Sequence, residues 1–296
     1  MADELPQPAD SDADNPYSVE QASRIYFLPN LMTAGNLFCG FAACMRCIEA
    51  SFITREAAEA TSMIPPEAIS HYQSAVWYIF GAMAFDALDG RLARMGGRES
   101  LFGAEFDSLA DVVSFGLAPA LMVFFLIIRP AGGDQTLLSV GGLIGFIYLL
   151  CAAIRLARFN VITHPLIQRP GGGKAANKDF VGLPVPAAAG TIGALVLFLL
   201  NLMVHDKSLQ WIALGLPPLL LLVAMLMVSM VRYPSGKQID LRTKTKLTTW
   251  VIYVAVGAAV VRFKEYGMIF VCLGYIFYGL FRHWRRHGLI KRAPLV

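Results

Sequence analysis

Four aspartates lie close together in an otherwise apolar part of the sequence. Asp86 and Asp89 are three residues apart, and Asp107 and Asp111 are four residues apart. On helices, each of these spacings places both carboxylates on one face. A charged side chain at hydrocarbon depth costs about 2.5–3.5 kcal/mol on insertion scales. Four such residues within one short stretch therefore predict a site that uses their charge.

Divalent cations are the natural partners of such a group, because carboxylate oxygens are the hard ligands that Mg²⁺ and Mn²⁺ prefer. The segment between the two pairs is short and contains Gly96 and Gly97. The two helices should therefore be antiparallel neighbours whose carboxylates converge, as in metal sites of helical bundles. Without cations these carboxylates would repel one another. The pattern predicts two bound divalent cations, Mg²⁺ or Mn²⁺, an arrangement suited to phosphoryl transfer.

Small residues and an arginine surround the aspartates. Gly90 directly follows Asp89, and Gly103 precedes Asp107 by one helical turn, so both leave room for a bulky ligand. Arg94 supplies a cation that can hold a phosphate through two hydrogen bonds. The alternative is that the aspartates are interfacial residues paired with nearby arginines. A single aspartate at a helix end favours that interpretation, whereas two pairs at helical spacing favour a ligand site.

The composition indicates a membrane protein. The chain has 296 residues, of which 56% are hydrophobic and 16% charged, whereas soluble domains have about 25% charged residues. Most apolar runs are long enough to cross about 30 Å of hydrocarbon. We predict an all-α, polytopic membrane bundle with about eight transmembrane helices. Their approximate ranges are 30–50, 73–94, 106–128, 138–158, 183–204, 209–231, 248–262 and 267–283.

The distribution of basic residues predicts the orientation of these helices. Most of the 25 Lys and Arg residues fall on the side that carries the N-terminus, which the positive-inside rule assigns to the cytoplasm. We therefore expect a multi-pass protein of the inner (cytoplasmic) membrane, with both termini and the aspartates at the cytoplasmic face. We also expect three regions: a disordered acidic tail (1–24), a core of six helices (25–245), and a C-terminal transmembrane hairpin with a basic tail (246–296).

The order D-x2-D-G-x2-A-R-x8-G-x3-D-x3-D, from Asp86 to Asp111, resembles the signature of the CDP-alcohol phosphatidyltransferase family. The resemblance implies a membrane enzyme that transfers a phosphoalcohol from a CDP-linked substrate to a hydroxyl acceptor and releases CMP. It implies that Asp86, Asp89 and Asp107 bind the metals. Asp111 would bind one metal and also act as general base. Contacts with the CDP part would fall to Gly90, Arg94 and Gly103.

Other segments resemble those of bacterial phosphatidylserine synthases within that family. The first helix begins with a stretch from Pro29 to Gly40, and three further segments (155–160, 180–187 and 226–235) continue the resemblance over about 25–245. It implies that CDP-diacylglycerol and L-serine are the substrates and that Thr33 and Asn36 lie near the nucleotide. It also implies a homodimer among membrane lipids. We expect no nucleic-acid partner.

Polar residues at the end of the fourth predicted helix are candidates for binding the acceptor or a phosphate. Arg155 and Arg158 should lie at the cytoplasmic side where the metal site opens, and Asn160 extends their polar edge. An arginine is a fitting partner for the carboxylate of serine. The alternative is anchoring at the cytoplasmic face by contact with lipid headgroups, and both interpretations are open for each arginine.

Two rival functions follow from the same residues. The signature does not distinguish a phosphatidylserine synthase from a phosphatidylcholine or phosphatidylglycerophosphate synthase, and only the segments near Arg155 and Phe180 favour serine. A rival of another class is a cation transporter. Transporters place their ion ligands near the membrane midplane, between broken helices or inverted repeats. Here the aspartates cluster at one predicted face, and the sequence contains no repeat that we detect.

Overall fold

The computed structural model describes residues 27–57, 64–96, 101–128, 134–163, 179–205, 212–234 and 265–290. The predicted acidic tail (1–24) and the predicted helix over 248–262 lie outside these residues. The other seven predicted helices are helical in the structure. They are α1 (Phe27–Glu56), α2 (Pro66–Gly96), α3 (Leu101–Asp111) continuing into α4 (Ala118–Ile128), α5 (Gln135–Thr163), α6 (Val185–His205), α7 (Leu216–Val228) and α8 (Glu265–Ile290).

Four of the helical stretches in the described residues are long and apolar enough to cross a membrane: Phe27–Glu56, Phe102–Ile127, Gln135–Ile162 and Val185–Val204. A shorter apolar helix covers Ile212–Val228. Because transmembrane segments satisfy their backbone hydrogen bonds internally, this nearly all-helical architecture fits a helical membrane protein.

The third predicted helix is continuous but not uniformly α-helical. A π-helical turn, Val112–Leu117, lies between α3 and α4 and begins directly after Asp111. A π-helix has hydrogen bonds five residues apart instead of four, so it is wider and shifts the faces of the helix on either side of it. The 3.6-residue periodicity of side chains is therefore interrupted at the residue that follows the fourth aspartate.

Helix α2 is packed closely through a line of small residues. Ala68, Ala75 and Ala82 recur every seven residues and are fully buried, and the helix packs against both α1 and α6. Small side chains at such an interface let helix backbones approach, which increases van der Waals contact in the absence of a hydrophobic driving force. The next position in this series is Asp89, so the same tightly packed face leads to the aspartates.

Two short strands are a departure from the all-α expectation. Strand β1 (Asp179–Val181) pairs antiparallel with strand β2 (Arg232–Pro234), and so joins the segment before α6 to the segment after α7. Gly182 extends this pairing by donating its N–H to the Val231 carbonyl at 2.8 Å. Its φ of 81° is a conformation that glycine adopts without steric cost. The backbone N–H and C=O groups of these two non-helical segments form hydrogen bonds with each other, because buried backbone groups without a partner are costly.

Helix α8 packs on the preceding core. It contacts α6 and β2, and Tyr266 meets Phe198 edge to face, with 5.5 Å between ring centroids. Gly279 lies against the ring of Tyr233, where a side chain would collide with it. The last helix therefore shares packing with residues of the predicted six-helix core.

Candidate active site

Carboxylates from two helices meet in the structure. One oxygen each from Asp86 and Asp89 on α2 and from Asp107 on α3 lie within 4.8 Å of one another. Asp89 is only 5% exposed, whereas Asp86 and Asp107 are half-buried. The three carboxylates thus form an oxygen-only ligand set that fits a hard divalent cation.

Asp111 belongs to the same cluster. It is 6% exposed and interacts electrostatically with Asp86, Asp89 and Asp107. One oxygen, Oδ1, accepts a hydrogen bond from the Asn36 side-chain amide at 2.9 Å. Buried like charges this close require compensation by cations or protons, so the site as a whole is suited to bind positive charge.

Helix α1 supplies hydrogen bonds to one aspartate of each pair. Thr33 Oγ1 donates to Asp89 Oδ2 at 3.1 Å, one helical turn from the Asn36 bond to Asp111. Both α1 side chains are buried. The resemblance implied that they lie near a nucleotide, which stays a prediction. The structure places them in hydrogen-bonding contact with the aspartates, so they orient these carboxylates. Asn36 Oδ1 is buried without a hydrogen-bond partner among the described residues, which leaves an acceptor at the site.

The π-helical turn after Asp111 is held against α1. Ser114 Oγ donates to the main-chain carbonyl of Asn36 at 2.9 Å. A Cβ at Gly40 would lie 2.6 Å from Ser114 Cα, so only glycine permits the two backbones to approach this closely. Sequence reasoning missed Ser114, although Gly40, at the end of the stretch from Pro29, was a signal of close approach.

Helix α5 also holds this turn. Tyr148 Oη donates to the carbonyl of Phe115 at 3.1 Å, and both residues are fully buried. The tyrosine hydroxyl therefore bonds to the backbone of the π-helical turn itself. Contacts from α1 and α5 thus fix the turn and, with it, Asp111.

The three candidates near the end of α5 have different environments. Arg155 is 9% exposed and interacts electrostatically with Asp111, so the structure brings it to the carboxylate cluster. Arg158 is exposed. Asn160 Nδ2 donates to Ser108 Oγ at 2.9 Å, which links α5 to α3.

The remaining candidates flank the carboxylates. Gly90 directly follows Asp89 and Gly103 precedes Asp107 by one helical turn; both glycines are half-buried. The backbone of Arg94 is part of α2, but its side chain lies outside the described part of the structure.

Comparisons with known proteins agree with this geometry. Residues 26–221 match the family model described as CDP-alcohol phosphatidyltransferase. A protein of Helicobacter pylori (strain J99), named CDP-diacylglycerol–serine O-phosphatidyltransferase, is 30% identical over 87% of this chain and 91% of its own length. A protein of Methanocaldococcus jannaschii with the same name is 32% identical over 70% of this chain and 83% of its own.

A third protein with that name, from Saccharomyces cerevisiae, is 45% identical over 41% of each chain. The resemblance seen in the aspartate signature is thus confirmed by matches that extend over most of the sequence. The chain belongs to the CDP-alcohol phosphatidyltransferase family.

Proposed function

We propose that this protein transfers the phosphatidyl group of CDP-diacylglycerol to the hydroxyl of L-serine, giving phosphatidylserine and CMP. The observation that carries the proposal is the buried Arg155, which lies on a helix packed against α3 and the π-helical turn and which interacts electrostatically with Asp111 of the carboxylate cluster. The cluster provides metal ligands and a base, and the arginine provides a partner for an acceptor that bears a carboxylate. The names of the relatives from Helicobacter and Methanocaldococcus support the same reaction.

Asp86, Asp89, Asp107 and Asp111 would together hold two divalent cations, Mg²⁺ or Mn²⁺. The 4.8 Å grouping of oxygens from the first three supports this assignment. When bound, the cations would stabilise negative charge on the pyrophosphate and on the departing CMP. Thr33 would keep Asp89 in its ligating orientation through the hydrogen bond to Oδ2.

Asp111 would act as the general base. Its Oδ1 is occupied by the amide of Asn36, so the orientation of Oδ2 is fixed as well. The carboxylate would accept the proton of the serine hydroxyl while the hydroxyl oxygen attacks the β-phosphorus. The bond from that phosphorus to the CMP oxygen breaks, and CMP leaves. A fixed carboxylate contributes to the rate of proton transfer, because a general base must lie within hydrogen-bonding distance of the hydroxyl from which it takes the proton.

The CDP part would lie against Thr33, Asn36, Gly90, Arg94 and Gly103. Gly90 and Gly103 are half-buried and place no side chain directly after Asp89 or one helical turn before Asp107. The buried Oδ1 of Asn36 could accept a hydrogen bond from the nucleotide. A guanidinium at Arg94 would bind a phosphate by two parallel hydrogen bonds.

Among the acceptor or phosphate candidates, Arg155 has the environment of a substrate-binding group, since it is buried and interacts electrostatically with Asp111. Arg158 is exposed and would contact lipid phosphates at the membrane surface. Asn160 would support the site by joining α5 to α3 through Ser108.

We further propose eight transmembrane helices with both termini in the cytoplasm, in the inner membrane, with the site at the cytoplasmic face. The acidic tail (1–24), the core (25–245) and the hairpin (246–296) would be the parts of a homodimer subunit. The four long apolar stretches among the described residues support a multi-pass arrangement. The diacyl chains would then lie in the bilayer between helices, which gives a reason for catalysis at the membrane.

The decisive assay uses purified protein with Mn²⁺ or Mg²⁺, CDP-diacylglycerol and labelled serine. We expect release of CMP together with labelled phosphatidylserine, and loss of both products in Asp111→Asn. Turnover with glycerol 3-phosphate or with CDP-choline, but none with serine, would refute the assignment of serine as the acceptor. Metal flux into vesicles without CMP release would instead identify a transporter.

A further inference from the structure

Helix α8 has two faces of different character. One face packs on α6 and β2 and contains the buried Ile276 and Gly279. The other face exposes large aromatic side chains three, four or seven residues apart, a spacing that places them on one side of a helix: Phe270, Phe277, Phe281 and Trp284. Because α6 is among the apolar stretches that are long enough to cross a membrane, the exposed aromatic face of a helix packed beside it is expected to meet lipid.

The charged residues of α8 follow its apolar part. From Tyr266 to Phe281 the helix contains no charged residue, whereas Arg282, Arg285 and Arg286 lie within the next five positions. At about 1.5 Å per residue, the apolar run covers roughly 24 Å. Trp284 and Arg285 therefore lie just beyond the end of this run. Tryptophan and arginine are residue types that anchor membrane helices at the level of the lipid headgroups.

The guanidinium of Arg285 lies over an aromatic ring. Its Cζ is 5.9 Å from the centroid of the Phe281 ring, which is within the range of a cation–π contact. The Arg285 side chain is exposed, and no acid pairs with it within the described residues. Contact through the face of the guanidinium leaves its N–H donors, which lie in its plane, available. The ring thus orients the cation without neutralising it.

The partner that fits this surface is an anionic phospholipid. A phosphate accepts two parallel hydrogen bonds from a guanidinium, and an acyl chain buries apolar surface against aromatic rings. A useful contrast lies on α2, where Trp77 is also exposed and meets Phe80 edge to face. No basic residue lies within one helical turn of Trp77, so that surface offers apolar contact without a cation for the phosphate.

We propose that the α8 face formed by Phe277, Phe281, Trp284 and Arg285 binds an anionic phospholipid: Arg285 holds the lipid phosphate, and the three aromatic side chains contact an acyl chain. The inference depends on the membrane location of the chain and is independent of the proposed reaction. It places a lipid-binding site on a helix outside residues 26–221, which the family model matches.

Quenching of tryptophan fluorescence by brominated lipids tests the proposal in the full-length protein. All bilayers contain the same mixture of phosphatidylglycerol and phosphatidylcholine, and only the lipid that carries the bromine atoms differs. The contribution of Trp284 is the difference between wild type and Trp284→Phe. We expect phosphatidylglycerol to be enriched about fivefold over phosphatidylcholine at Trp284, the factor that one basic residue contributes at an anionic surface. Arg285→Gln should abolish this enrichment.

Two matched variants serve as controls. Trp77→Phe removes an exposed tryptophan that has no neighbouring cation and should leave the enrichment at Trp284 unchanged. Arg55→Gln removes an exposed arginine from the last turn of α1 and should also leave it unchanged. Phe281→Leu keeps an apolar side chain but removes the ring under the guanidinium, so the enrichment should decrease while quenching by phosphatidylcholine persists.

Three results would overturn the inference. Equal quenching of Trp284 by the two lipids would show a lipid contact without selectivity for charge. Unchanged enrichment in Arg285→Gln would exclude the arginine from the site. Absence of quenching by either lipid would show that a second copy of the chain covers this face. None of these results bears on CMP release, so the proposed function and this inference can fail separately.

Discussion

Asn36 donates its side-chain amide to Asp111 Oδ1 at 2.9 Å, and the two residues are brought together from different helices, α1 and α3. The same asparagine accepts, through its main-chain carbonyl, the hydroxyl of Ser114 in the π-helical turn. Asn36 therefore bonds both to Asp111 and to the turn that follows Asp111. This double attachment fixes the orientation of the proposed base more strongly than its own helix could, because the α-helical pattern ends there.

Replacing Asn36 by Leu should reduce kcat. The substitution keeps a similar volume but removes the donor to Asp111, and a hydrogen bond to a charged group contributes about 1.5–3 kcal/mol. We expect kcat to fall by roughly tenfold to a hundredfold with wild-type amounts of folded protein in detergent. CMP release at saturating substrates measures the effect. Normal kcat in a folded Asn36→Leu variant would contradict the role assigned to this bond.

Replacing Thr33 by Val should weaken metal binding. The change removes the hydroxyl that donates to Asp89 Oδ2 and preserves the shape of the side chain. Groups that orient metal ligands typically affect metal affinity or activity by about 10–100-fold. We expect the Mn²⁺ concentration that gives half-maximal activity to rise by about 10–100-fold. Activity should be recovered at high Mn²⁺.

A matched control lies on the same helix. Thr54 is also buried, and its hydroxyl donates to the Ala50 carbonyl, near the far end of α1. Thr54→Val should leave the Mn²⁺ dependence unchanged. An equal shift in both variants would show that the effect of Thr33→Val is a general consequence of altering α1.

Much of this architecture is predictable because its signals are local. Apolar runs predicted the positions of the seven helices within the described residues. Helix α2 begins at Pro66, earlier than the predicted residue 73, because proline fits the first helical turn and the polar residues that follow it hid that turn from a search for apolar runs. The spacing of the aspartates predicted the convergence of carboxylates, since three- and four-residue separations place side chains on one face.

The parts that were not predicted depend on contacts between distant segments. Two hydrogen bonds stabilise the π-helical turn after Asp111: the Ser114 hydroxyl donates to the Asn36 carbonyl on α1, and the Tyr148 hydroxyl donates to the Phe115 carbonyl. Neither contact leaves a signature in the periodicity of the sequence. The strand pair forms only because the ends of α6 and α7 meet. Helix α8 packs against α6 and β2, in a segment where the sequence offered no motif.

Replacing Asp89 by Asn should abolish activity and reduce metal binding. Asp89 is the buried member of the three-carboxylate group, and the amide removes one negative charge where the ligand set must attract cations. Electron paramagnetic resonance of Mn²⁺ with the purified variant measures binding independently of turnover. Treatment of the wild type with a chelator should abolish CMP release, and adding Mn²⁺ or Mg²⁺ should restore it.

Glu49 offers the corresponding control for charge. It is an acid on α1 that pairs with Arg46 at 2.9 Å, outside the carboxylate cluster. Glu49→Gln should retain Mn²⁺ binding and CMP release. Unchanged Mn²⁺ binding in Asp89→Asn would be incompatible with a metal site at these carboxylates.

Replacing Gly40 by Ala should destabilise the protein and reduce its activity. The added methyl group would collide with Ser114, including its Cα at 2.6 Å, and would push the π-helical turn away from α1. Overpacking of this kind costs about 1–3 kcal/mol, which thermal unfolding in detergent would register as a lower Tm. Gly274→Ala is the matched control, because no atom lies within 4 Å of its added methyl; there the helix should gain about 0.5–1 kcal/mol. Ser114→Gly removes the Oγ and Cβ from the collision but leaves the Cα, so Gly40→Ala should still lower the Tm in that background, by a smaller amount. An unchanged Tm for Gly40→Ala in the wild-type background would argue against this contact.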